Sequence, residues 1–125
     1  MTKLLKNPII PESGRQFVSL PDSDSMSEAL GISKRQLAET AGLPTASLNR
    51  KTRSTAAHTL NRLSEVSEIL HRITPWAGSI GQAFAWYRSE PLPEFGGRTA
   101  ESLVKSGRAA TVRDYLDHVA LGGFA

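Results

Sequence analysis

The chain has 125 residues, with 15 Lys+Arg against 12 Asp+Glu, a formal net charge of +3, 39% apolar residues and no cysteine. A chain of this size buries roughly two thirds of the surface its unfolded form exposes, enough for one packed unit, or two very small ones, without a covalent staple. The missing cysteine excludes disulfide scaffolds and thiolate zinc sites, and no apolar run approaches the ~18–20 residues of a membrane span.

In chain order, the start, Met1-Thr2-Lys3-Leu4-Leu5-Lys6-Asn7-Pro8, holds no apolar stretch long enough for a signal peptide, so the expected compartment is the cytoplasm. Pro8, Pro11, Gly14 and Pro21 interrupt a polar stretch without helical or alternating period, and residues 1–24 are expected to form an irregular arm. From about Ser25 the pattern is helical, with Met26, Ala29 and Leu30 on one face and Gly31 as the stop. Ser33-Lys34-Arg35-Gln36 has the form of a capping box, and it predicts a helix from Lys34 to about Ala41 with Leu37, Ala38 and Ala41 facing inward. After Gly42, Thr45 is a candidate N-cap for a second short helix, Ala46 to about Lys51, anchored inward by Leu48. Between Thr55 and Ile73, Leu60, Leu63, Val66, Ile69, Leu70 and Ile73 recur at spacings of three and four, the signature of a long amphipathic helix, which Pro75 is expected to end.

Residues 75–125 read as a second helical region after the first, 25–74. Ile80, Ala83, Phe84 and Tyr87 mark a helix with Trp86 beside them, closed by Glu90-Pro91-Leu92-Pro93. Phe95-Gly96-Gly97 predicts an ordered turn rather than a strand. Thr99 caps a short helix carrying Leu103 and Val104, with Gly107 as its stop. The last helix, about Ala109 to Leu121, carries Val112, Tyr115, Leu116 and Val119 on one face. Phe84 is expected in the core, whereas adjacent residues on a helix cannot face the same way, so one of Trp86 and Tyr87 should reach the surface. The expected fold class is all-α, with about seven helices.

Charge is distributed unevenly. Residues 1–33 carry a net −1 and residues 75–125 balance, whereas Lys34, Arg35, Arg50, Lys51, Arg53, Arg62 and Arg72 against Glu39, Glu65 and Glu68 give +4 in between. A local basic excess is the footprint of a polyanion contact, or simply of a solvated helical face. It coincides with two short helices joined at Gly42, with small Ala38 where they approach and Leu48 as anchor, the pattern of a helix-turn-helix. Thr45, Ser47, Asn49, Arg50 and Lys51 would then face a duplex, with Asn and Arg suited to adenine and guanine edges, and Lys34, Arg35 and Arg53 would clamp phosphates. A wet αα-hairpin fits the same pattern.

No constellation for catalysis or metal binding emerges. His58, His71 and His118 have no partner one turn away, and the pairs Asp114/Asp117 and Glu65/Glu68 read as solvated faces. There is no phosphate loop and no nucleophile elbow. The chain is therefore expected to be a binding protein without cofactor, metal site or catalytic residue.

The ordered residues Ala83-Phe84-Ala85-Trp86-Tyr87, then Leu92, Phe95-Gly96-Gly97-Arg98-Thr99-Ala100, Leu103, Gly107, Val112 and Leu116, resemble the toxin-binding domain of the MbcA/ParS/Xre antitoxins. Upstream, Leu48-Asn49-Arg50-Lys51 and the Leu60, Leu63, Val66 helix are similar to the Xre-type helix-turn-helix of the same family, so the resemblance spans roughly Gly31 to Ala125. The chain departs from the family at Tyr87, where Leu is common, at Ala100, where proline is usual, and at Lys105-Ser106, where Thr and an acidic residue are common. These departures leave the branch of toxin open.

The resemblance implies an Xre-like helix-turn-helix bundle followed by a toxin-binding domain at 75–125. It implies a type II antitoxin whose partner is a RES-domain toxin that consumes NAD or uses it for ADP-ribosylation. The helix-turn-helix half would bind the operon's own promoter, as a homodimer, and repress it. Trp86, Tyr87, Gly97, Arg98 and the terminal run Leu121, Gly122, Gly123, Phe124 and Ala125 are the implied toxin contacts. On the residues alone, Gly122-Gly123 is a hinge before one large apolar anchor and a carboxylate that a site built for an anionic cofactor would accept, although ordinary fraying after a helix reads the same way. Two other readings stay open: a stand-alone helix-turn-helix regulator with a C-terminal dimerisation domain, and an interaction module that never touches DNA.

Overall fold

The residues described by a computed structural model, 22–49 and 57–121, are mostly helical and include seven α-helices and no strand. The expected all-α class is observed. Asp22, in extended backbone, accepts the Asp24 N–H at 3.2 Å and opens α1, Ser23–Leu30, slightly before the expected Ser25; Gly31 closes it at φ 69°. Ser33 builds the capping box: its hydroxyl accepts the Gln36 N–H at 3.1 Å while the Gln36 side-chain carbonyl accepts the Ser33 N–H at 2.9 Å. Two donors left free by any helix start are thereby satisfied. Helix α2 runs Lys34–Ala41 and α3 Ala46–Asn49. Thr45 enters α3 through its backbone carbonyl, which accepts the Leu48 N–H at 3.0 Å, whereas its hydroxyl makes no hydrogen bond among the described residues.

Helix α4, Ala57–Ala77, continues past Pro75, where the sequence pattern had it end. A proline in the last turn forfeits only one backbone bond, and the Thr74 hydroxyl donates to the Leu70 carbonyl at 2.8 Å beside it. Trp76 and Ala77 also extend the stripe of Ile69, Leu70 and Ile73 by one more turn. Ser79 then caps α5, Ile80–Ser89, and a single turn of 3-10 helix at Pro93–Phe95 leads to α6, Ala100–Lys105, capped by the Thr99 hydroxyl. Helix α7, Ala109–Ala120, completes the fold.

The long α4 lies at the centre, packed against α2, α5 and α7, while α6 bridges α2, α5 and α7 and α1 rests on α2 and α5. Its buried stripe, Leu63, Val66, Ile69, Leu70 and Ile73, joins Leu37 and Leu48 from before it to Leu103, Val112 and Leu116 from after it in one continuous core. Each such side chain contributes about 1.5–3 kcal/mol by leaving water. The expected division between residues 74 and 75 falls inside α4. No described helix is long and apolar enough to cross a membrane.

Candidate functional site

Two surfaces carry the sequence-derived candidates. The first is the α2–turn–α3 unit. Ala38 of α2 is 1% exposed, Leu48 of α3 is buried, and Gly42 turns the chain between them at φ 71°. Helices later in the chain hold this turn. Arg62 of α4 donates from Nη1 to the Ala41 carbonyl at 2.8 Å, with its Nε 3.4 Å from Glu65 Oε1. The buried Thr40 hydroxyl bonds to the Glu101 carboxylate of α6, which also lies 3.1 Å from Arg88 Nε. A methyl group placed on Gly42 would lie 3.0 Å from Lys105 Cγ and 3.1 Å from Arg62 Nη1, so besides the left-handed backbone that favours glycine, any side chain here must push these two aside by a few tenths of an ångström.

Among the candidate DNA contacts, Arg35 and Thr45 are exposed and Ser47 is partly so. Lys34 lies 2.5 Å from Asp24 Oδ1 of α1, which offsets its charge. The Asn49 side chain and Arg50, Lys51 and Arg53 lie outside the described residues.

The second surface is an apolar groove of about 280 Å³ between the end of α4, α5 and α7, lined by Trp76, Ala77, Trp86, Tyr115, Leu116 and Val119. Trp86 is partly exposed there, whereas Tyr87, expected to contact a partner, is fully buried and belongs to the core. Burial pushes the Tyr87 hydroxyl far above the usual tyrosine range, and the nearby Glu101 carboxylate adds to it; the hydroxyl finds no hydrogen-bond partner among the described residues. Of the groove residues, only Trp86 was a sequence-derived contact; Trp76, 53% exposed, was missed because the expected stop at Pro75 falls two residues short of the observed helix end at Ala77. The spacing Ile73, Trp76, Ala77 held the signal. Tyr115 meets the Phe95 ring edge-on at 6.0 Å, and its hydroxyl is held above the usual range by burial first and then by Glu94 and Glu90.

Gly97 is exposed in the turn at φ 82°, and the Leu92 N–H donates to the Arg98 carbonyl at 3.0 Å across it. The Arg98 guanidinium donates to the Ser102 hydroxyl, the Ser102 carbonyl and the Ser106 hydroxyl, each at 3.0 Å, and so serves the end of α6. Leu121 stands 88% exposed just past α7, and Gly122, Gly123, Phe124 and Ala125 lie outside the described residues. Among the described residues no three side chains of metal-ligating type converge. No family model, curated protein or solved structure matches the chain.

Proposed function

We propose that the chain is the antitoxin of a type II toxin–antitoxin pair. In this reading it blocks the NAD site of a RES-domain toxin, which degrades NAD or uses it for ADP-ribosylation, and represses its own operon by binding promoter DNA as a dimer. The observation that carries the reading is the aromatic groove, in which Trp76 remains 53% exposed beside Trp86 and Tyr115. Exposed aromatic side chains over an apolar floor anchor protein partners, because they bury large area at little entropic cost. The groove belongs to the part of the chain whose residue order resembles the toxin-binding domain, and Leu121 follows its α7 wall in sequence. The α2–turn–α3 geometry, with Ala38, Gly42 and Leu48 in the roles the motif requires, supports promoter binding.

Removal of Leu121 to Ala125 tests the reading. It should reduce inhibition of the toxin's NAD loss far more than it reduces promoter binding, and equal inhibition by truncated and full-length protein would overturn the assignment of the tail. A stand-alone regulator would instead use the groove to pair two copies of the chain. Its mark is a dimer that needs Trp76 and a neighbouring gene product that never binds.

A further inference from the structure

Most described cations lie against carboxylates: Lys34 with Asp24, Arg62 with Glu65, Arg72 with Asp117, Arg88 with Glu101 and Arg113 with Glu68. Arg98 serves the end of α6. Lys105, Arg35 and Arg108 make no ion pair among the described residues. Of these, Lys105 is the unexpected one. It is far from the helix-turn-helix in sequence, yet its stem lies against Gly42, so near that a methyl there would be 3.0 Å from Cγ and 3.2 Å from Cβ. Two carboxylates whose partners flank that turn are engaged, Glu65 by Arg62 and Glu101 by Arg88 and Thr40. Glu39, exposed on α2 one turn before Gly42, is the opposing charge.

We propose that Lys105 is a phosphate contact of the duplex-binding face, so that this face extends from the α2–turn–α3 unit onto α6. In a helix-turn-helix the first helix crosses the sugar-phosphate backbone. Here α2 carries exposed Arg35 in its first turn and has Lys105 packed beside the turn after its last residue. The two cations bracket α2, about 12 Å long at 1.5 Å per residue. A contact of this kind is independent of base sequence and releases counterions, so it appears in the salt dependence of binding. The proposal rests on the promoter-binding reading above.

The test titrates the full-length chain with duplex from its own upstream region over a series of salt concentrations. Lys105→Gln keeps the stem that packs on Gly42 and removes the charge; it should weaken binding several-fold and reduce the salt slope by about 0.9, the loss of one phosphate contact. Lys105→Arg should restore the slope, and Glu39→Gln should strengthen binding at low salt. Salt-dependent binding by the unaltered chain with an unchanged slope for a folded Lys105→Gln variant would overturn this inference and leave promoter binding standing. Absence of salt-dependent binding by the unaltered chain would overturn both.

Discussion

The Arg62 guanidinium donates to the Ala41 carbonyl at 2.8 Å, so the central helix caps the end of α2 from outside it. Helix ends leave carbonyls without partners, and a charged donor is among the stronger ways to satisfy one. Replacing Arg62 by Met keeps much of the stem and removes the donor. Urea denaturation should give a loss of about 1.5–3 kcal/mol. An unchanged midpoint would mean that water serves Ala41 equally well.

Two glycines separate backbone strain from packing. Gly31 and Gly42 have nearly the same left-handed φ, 69° and 71°, but a methyl at Gly31 meets nothing within 4 Å, whereas at Gly42 it meets Lys105 and Arg62. Gly31→Ala should cost about 1–2 kcal/mol from conformation alone. Gly42→Ala should cost at least ~1 kcal/mol more through overpacking. Equal losses in thermal or urea unfolding would mean that both side chains move aside freely.

Tyr87 is buried and its hydroxyl has no partner among the described residues, so Tyr87→Phe should be neutral at pH 7 or stabilising by up to ~1 kcal/mol. The pH dependence has a definite sign. The folded-state pKa is raised, so the unfolded chain loses this proton first, and stability fully present below pH ~10 falls as pH rises beyond it. Melting temperatures above pH ~10 should therefore decline less for Tyr87→Phe than for the unaltered protein. Parallel declines would show that the phenol is not held protonated by burial.

Trp76 should matter more for partners than for folding. With about half its surface already buried, Trp76→Ser should cost about 1–3 kcal/mol and leave the fold intact by circular dichroism. Affinity for the protein partner should fall at least roughly tenfold, equivalent to about 1.4 kcal/mol. Unchanged affinity in a calorimetric titration would remove the groove from the interface.

The local devices were legible in the sequence. Ser33 and Gln36 announce α2 because both halves of a capping box lie within four residues of chain, and the Leu63 to Ile73 stripe announces the buried face of α4. Leu48 was legible as an anchor because α3 has no other large apolar side chain. Pro75 misled, because the rule that proline ends a helix is weakest in the last turn, and Trp76 was lost with that turn. The choice between Trp86 and Tyr87 turns on which helices cover α5, which periodicity does not contain. Likewise, the bonds from Thr40 to Glu101 and from Arg62 to Ala41, and the approach of Lys105 to Gly42, join segments distant in sequence. Such contacts depend on the assembled fold.

The most direct test of the account is co-purification of the tagged chain with the product of the adjacent gene, followed by NAD measurement before and after the two are separated. The account predicts one stable complex without NAD-consuming activity, and activity in the partner once the chain is removed. A neighbouring product that neither binds this chain nor consumes NAD would contradict it.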